Sequence, residues 1–188
     1  MSKRVVVVGV AGVLVVALAV GLYLFQPWRL VTDRTADEAL LVPVPTTTAA
    51  AGSSASAPAT TSAAPVTTTS AAPTGPVALA TGPFRSLDYT TSGSATLVRT
   101  PDGKLAVQFE ALDTTDGPDL HVYLSDKPAD SPEAAFDSGF TNLGKLKANR
   151  GNQVYEVPAG IDLTAVRSVV IWCERFSEGF GVAPLEHA

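Results

Sequence analysis

The sequence is short of most residues that carry chemistry. Its 188 residues include one cysteine (Cys173), one methionine (Met1) and two histidines (His121 and His187). A lone cysteine excludes an intramolecular disulfide, and this inventory cannot supply the usual four-ligand Cys/His set for zinc. Two histidines and one cysteine match the ligand types of a blue-copper site. However, His187 stands next to the last residue, and Met1 lies beyond an apolar segment and cannot serve as an axial ligand. Ligand count therefore argues against copper or haem held within this chain, and no cofactor or metal is expected. There is no catalytic triad, phosphate-binding glycine loop or paired-carboxylate motif, so a conventional enzyme is not expected. Basic residues are also scarce where they would matter. From Val77 onward there are nine Lys/Arg against fifteen Asp/Glu, a net charge of −6 within a chain total of −5. An acidic domain has no attraction for a phosphate backbone, which excludes nucleic acid as a partner.

What is present is unevenly distributed. Lys3 and Arg4 precede an uninterrupted apolar run that opens at Val5 and closes at Phe25. As a helix rising about 1.5 Å per residue, this run spans roughly 31 Å, close to the thickness of a bilayer's hydrocarbon core. The two cations on its short side predict a cytoplasmic N-terminus, and Tyr23 and Trp28 fall at the far interface, where amphipathic aromatics prefer to lie. The competing reading is a cleaved signal peptide, since Ala17-Leu18-Ala19 has the small-x-small form. The apolar run continues past it, longer than a signal peptide needs. The expectation is a retained, single-pass signal anchor over residues 1–28. The lipid bilayer is its partner, and the rest of the chain lies outside the cytoplasm at the plasma membrane. Small residues at Gly9, Gly12, Ala17 and Gly21 offer a weak basis for helix pairing.

Residues 29–76 read as a linker. Within it, residues 43–76 comprise 14 Ser/Thr, 10 Ala, 6 Pro, 2 Gly and 2 Val, with no charge and no aromatic residue. Such a segment cannot bury enough apolar surface to offset the entropy of ordering it. Its composition also fits an O-glycosylated stalk. Its reach is about 30–35 Å as a coil and about 105 Å as an extended polyproline-like chain, which implies that it holds a domain away from the membrane.

Residues 77–188 are long enough for one self-sufficient core. Ala95 and Leu97, then Leu105, Val107 and Phe109, alternate with polar neighbours around Thr100-Pro101-Asp102-Gly103, which predicts a hairpin. Asp116-Gly117-Pro118 is a second turn, followed by the alternating Leu120, Val122 and Leu124. Further strands are predicted over 140–146, 153–157, 168–175 and 181–185, with one helical turn over 132–136. Val169 to Trp172 is apolar on both faces and reads as a central strand buried on both sides. The expected fold is all-β, with seven to nine short strands in a small sandwich or a partly closed barrel.

These residues also carry a resemblance. The pattern begins at Gly82-Pro83-Phe84 and Gly93, then runs through Gly117-Pro118-Asp119-Leu120 into Val122-Tyr123-Leu124. It continues with Leu143-Gly144-Lys145-Leu146-Lys147, Gly151-Asn152-Gln153-Val154-Tyr155 and Val157-Pro158. It closes on Ser168-Val169-Val170-Ile171-Trp172-Cys173, Phe176, Phe180, Ala183 and Leu185. It resembles the DM-thirteen domain, a module of bacterial exported proteins that also occurs beside haem-binding DOMON domains. The resemblance implies an electron-transfer-associated role with the cysteine as its redox residue.

Cys173 is accordingly the redox candidate, with Trp172, Phe176, Asp119 and Tyr123 as its neighbours in the candidate site. Two readings of it stay open. An unpaired thiol in an oxidising compartment is a candidate for sulfenic acid formation or an intermolecular disulfide. Free cysteine is also among the most buried residue types, and alternation places Cys173 on the face of Val169 and Ile171. Arg175 would lower its pKa only if it reached the sulfur. Asp113, Asp116, Asp119, Asp126 and Asp130 read as solvated loop charge, with Asp119 a turn residue, because their spacing fits no calcium loop. Phe109, Trp172, Phe176 and Phe180 are expected in the core. Tyr123 and Tyr155 are expected at its edge or on a binding face, and His121 on the less buried strand face. The leading functional expectation is a cell-surface redox-associated domain with a redox partner protein or a disulfide-linked dimer through Cys173. The alternative is a stalk-displayed binding or adhesion module in which Cys173 is structural.

Overall fold

The computed structural model describes residues 3–26, 32–43 and 75–187. One long helix, α1 (Lys3–Phe25), precedes a β domain. From Val13 to Leu24 its large apolar side chains are exposed, Val13 by 69%, Leu14 by 64% and Tyr23 by 73%. Among the described residues no helix is long and apolar enough to cross a membrane. The side chains of residues 3–10 and of Phe25 fall outside the described set, so the expected span from Val5 to Phe25 is only partly within it. Nearly all of the Ser/Thr/Ala/Pro-rich stretch, 44–74, also lies outside the described residues.

The strands are β1 (Thr35–Asp37), β2 (Val77–Pro83), β3 (Arg85–Ser86), β4 (Thr91–Arg99), β5 (Leu105–Thr114), β6 (Leu120–Ser125), β7 (Phe140–Lys145), β8 (Arg150–Val157), β9 (Ser168–Cys173), β10 (Glu178–Pro184) and β11 (Glu186–His187). They form a six-stranded sheet, β1-β8-β5-β4-β2-β11, and a five-stranded sheet, β3-β10-β9-β6-β7. The pairing of β1 with β8 is parallel. The hairpin expected around Pro101 is β4 and β5, with Leu97 opposite Val107. The turn at Asp116-Gly117-Pro118 carries the chain from the first sheet to the second.

The fold is thus a sandwich rather than a closed barrel, with more strands than the seven to nine expected. The extra ones are short: β1 and the two-residue β3 and β11 have no apolar alternation to announce them. The 3-10 turn Glu133–Asp137 corresponds to the expected helical turn.

Alternation explains the layering. Leu97, Val107, Phe109 and Tyr155 face inward from the first sheet, and Leu120, Val122, Leu124, Val169, Ile171 and Cys173 from the second. Phe84 meets Phe109 edge-on at 5.0 Å. As the sequence predicts, β9 is buried along its whole length. Its other face holds Val170 and Trp172 in a second cluster with Tyr123, Phe136 and Val182. Phe176 departs from expectation. It is 44% exposed, because β9 ends at Cys173 and the residue falls in the following turn.

The first sheet also carries residues from the stretch read as linker. Ala36 pairs with Gly151 along the β8 edge, and Val42 is buried on the sheet's outward side. Gly151 has φ +94°, and a Cβ there would lie 1.9 Å from the Ala36 carbonyl oxygen, so only glycine admits this approach.

Truncating Phe109, wholly buried between the sheets, should cost about 3–5 kcal/mol. Urea unfolding of Phe109→Ala should show the midpoint falling with little change in slope.

Candidate functional site

Two groups of residues meet at the end of the sandwich where β9 stops. The first surrounds the sulfur. Cys173 is a free, fully buried thiol, aligned with Leu120 of β6 and Glu178 of β10. Burial pushes its pKa up. The backbone N–H groups of Phe176, Arg175 and Asp119 act on the sulfur in the opposite sense, and the Asp119 carboxylate adds to the upward push. Burial wins, so the thiol is protonated where a free cysteine begins to ionise. Tyr89 packs beside this core face. Its ring stacks on Phe180 at 4.0 Å, and its hydroxyl donates to Glu178 Oε2 at 2.9 Å. That bond is the main reason its pKa is pushed up to about 12, and Cys173 contributes further.

The second group lies on the outward face of the second sheet. The spacing Asp119, His121, Tyr123 places these side chains on one side of β6 by alternation. Lys145 Nζ donates to Asp119 Oδ1 at 2.7 Å. This bond is the largest influence holding the Asp119 carboxyl below its ordinary range. Asn142 Nδ2 donates to Glu174 Oε1 at 2.8 Å and lies 3.1 Å from His121 Nδ1. The tautomer consistent with this has Nδ1 accepting and Nε2–H facing Asp119 Oδ1 at 3.4 Å. The Tyr123 hydroxyl donates to Glu174 Oε1 at 2.9 Å. Burial and this carboxylate raise the Tyr123 pKa.

Asp119, His121 and Glu174 offer ligand atoms within 4.8 Å of one another. Yet the carboxylates bracket the ring from opposite nitrogens, each at 3.4 Å. One ion takes only one nitrogen of a histidine, so the arrangement is that of a hydrogen-bonded chain. Nor can His121 act as base for the thiol by direct contact. In register it faces Trp172, on the outward side of β9, whereas Cys173 points inward.

The structure thus brings together Asp119 and Tyr123 through His121 and Glu174, with Trp172 opposite His121. Phe176 lies in the turn beyond the sulfur, and its ring faces solvent. Tyr123 and Tyr155 are both buried. Glu174, Asn142, Lys145 and Tyr89 were not legible as site residues. The i, i+2, i+4 spacing of Asp119, His121 and Tyr123 was available in the sequence, but the partners come from other strands and turns. Asp119 uses its side chain on Lys145 and His121, not on the backbone of its own turn as expected.

Two titrations test this geometry. A raised thiol pKa adds stability that is complete below the free-thiol value, near 8.5, and is lost as pH rises through the folded value. Thiolate absorbance of the folded protein should therefore lag that of the unfolded chain, and coincident curves would contradict the burial. Replacing Lys145 with Ala should move the Asp119 carboxyl pKa upward, as followed by NMR.

No curated protein and no solved structure matches the chain. A family model described as "Electron transfer DM13" matches residues 83–185, more than half of the chain and all of the strands from β3 to β10. With the Trp172-Cys173 strand and the Gly117-Pro118-Asp119 turn in their places within that span, the chain belongs to the DM13 family.

Proposed function

We propose that this chain displays a redox-associated DM13 domain on the outer side of a plasma membrane, anchored by α1, with Cys173 as the residue that changes oxidation state. The observation that carries the reading is the setting of the sulfur. The lone cysteine stands at the end of β9, fully buried and next to the turn over residues 174–177, inside the span that the family model matches. The family description supports the redox class. The outward-facing apolar side chains of α1, and the apolar run from Val5 to Phe25, support the anchor.

A fully buried sulfur does not meet a second chain's cysteine unless the turn after β9 opens. The chemistry that fits the closed state uses a small oxidant. Cys173 thiol and hydrogen peroxide give sulfenic acid and water, a two-electron oxidation at sulfur. A partner thiol would reach the oxidised sulfur only through the same opening.

The second reading, a binding or adhesion module with Cys173 structural, is favoured by the thiol's burial and raised pKa. An open cleft of about 730 Å3 lined by Arg85, Asp126, Ala129 and Arg167 offers such a module a surface. It lies beyond Ser168, at the opposite end of β9 from Cys173.

One experiment separates the two. Folded full-length protein treated with peroxide and a sulfenic-acid trap should gain the trap's mass at Cys173 faster than the protein globally unfolds. Cys173→Ser should gain none and keep its fold. Modification that waits for denaturant would leave the binding reading standing.

A further inference from the structure

Residues 32–43 precede the Thr/Ala/Ser/Pro-rich stretch, yet they are bound to the β domain along its β8 edge and across its first sheet. Arg34 grips Asp116 with two bonds, Nε to Oδ2 at 3.1 Å and Nη2 to Oδ1 at 2.8 Å. The Asp116 side chain is 1% exposed, against its expectation as solvated loop charge, while the Arg34 side chain is 40% exposed, so a buried carboxylate is met by a guanidinium that reaches solvent. The Arg34 backbone N–H donates to Asn149 Oδ1 at 2.6 Å, and its carbonyl accepts from Arg150 N. Four residues on, Glu38 accepts from Lys147 Nζ at 2.8 Å and from the Val154 backbone at 2.7 Å.

At the far end the contact is with a buried amide. Gln108 projects from the outward side of β5 and is fully buried. Its Oε1 accepts from Leu41 N and Val42 N at 2.9 and 3.1 Å, and its Nε2 donates to the Val42 carbonyl at 2.7 Å. The pairing of β1 along the β8 edge is a strand-addition contact, and Gln108 beyond it holds the passing backbone through both its acceptor and its donor. Together with Gly151, which clears the way for Ala36, these residues form a site that meets the segment at Arg34, Ala36, Glu38, Leu41 and Val42.

We propose that the β8 edge and the outward face around Gln108 are a binding site for this chain's own segment 33–42, docked in cis. The Ser/Thr/Ala/Pro-rich stretch then closes a loop on the domain instead of separating the domain from α1. Chain length supports the assignment. Val42 sits at Gln108 on β5, and Val77 pairs with Arg99, itself opposite Leu105 of β5. Both ends of the long stretch therefore return to neighbouring strands, three residues apart along β5. The direct path from Phe25 to Arg34 is nine residues, at most about 30 Å when extended. The extended reach of about 105 Å expected from the long stretch is not available to the domain while the segment is docked. The inference does not depend on the redox reading.

The test uses the full chain in detergent, tagged at its N-terminus, with a protease recognition sequence replacing residues 58–63. After cutting, the domain should remain bound to the tagged fragment through tenfold dilution. In Arg34→Ala/Glu38→Ala protein it should leave at least tenfold faster. Gly151→Ala, placed on the domain side, should also speed release. Circular dichroism of each uncut variant should show the β domain still folded. Immediate release of the wild-type domain on cutting would overturn the proposal. So would a mass before cutting that doubles with concentration and is lost in the Arg34→Ala/Glu38→Ala variant, since the segment would then be seated on a second copy.

Discussion

Six consecutive buried residues in β9 leave that strand no solvent-facing side, and this burial dictates what the protein must build around it. One face is closed by the opposing sheet. The other requires the cover supplied by the 3-10 turn and Phe136, which seals Trp172 and Val170 away from water. Because successive side chains alternate, the same constraint decides the character of the site. Trp172 goes outward under the cover, and Cys173 goes inward among Val169, Ile171 and Leu120. The thiol's raised pKa follows from that burial, and so does its separation from His121 on the outward face.

Much of this was legible in the sequence. The double-sided apolarity of residues 169–172 announces a central strand. The Thr100-Pro101-Asp102-Gly103 turn between two alternating runs announces the β4–β5 hairpin. Cys173 could be placed on the Val169 and Ile171 face by counting in twos. What escaped had no periodic signal. Phe176 looked like core because it is apolar and close to a core strand, but the strand ends three residues earlier. Residues 34–42 looked like linker because they are few and mixed. Their order comes from partners more than sixty residues away, such as Gln108, Asp116 and Lys147, and no local pattern encodes those contacts. Glu174, Asn142 and Lys145 escaped for the same reason, since each joins Asp119, His121 or Tyr123 from another part of the chain.

The chemistry available at the β9 end is set by opposed influences of similar origin. Backbone N–H groups favour a charged sulfur, while burial opposes it. On the outward side, Lys145 holds Asp119 ionised while burial acts against that charge. Access to the sulfur is therefore coupled to how tightly the turn over residues 174–177 stays closed. Opening that turn weakens the burial and admits water to the sulfur.

The edges of the first sheet have a consequence for synthesis. One edge is laid down by Ala36 against Gly151, and the other by Glu186 and His187 against Thr81 and Ala80. Gly82 sits so close to Pro184 that an added Cβ would fall 2.0 Å from its carbonyl oxygen. Neither border of the sheet can be finished before a strand far along the chain has been made, β8 for Ala36 and β11 for Thr81 and Ala80. Contacts of such long sequence separation are slow to form, and until they do the central strands have open edges. Until β11 pairs with β2 the first sheet keeps an open border, and that pairing is the latch that ends its exposure.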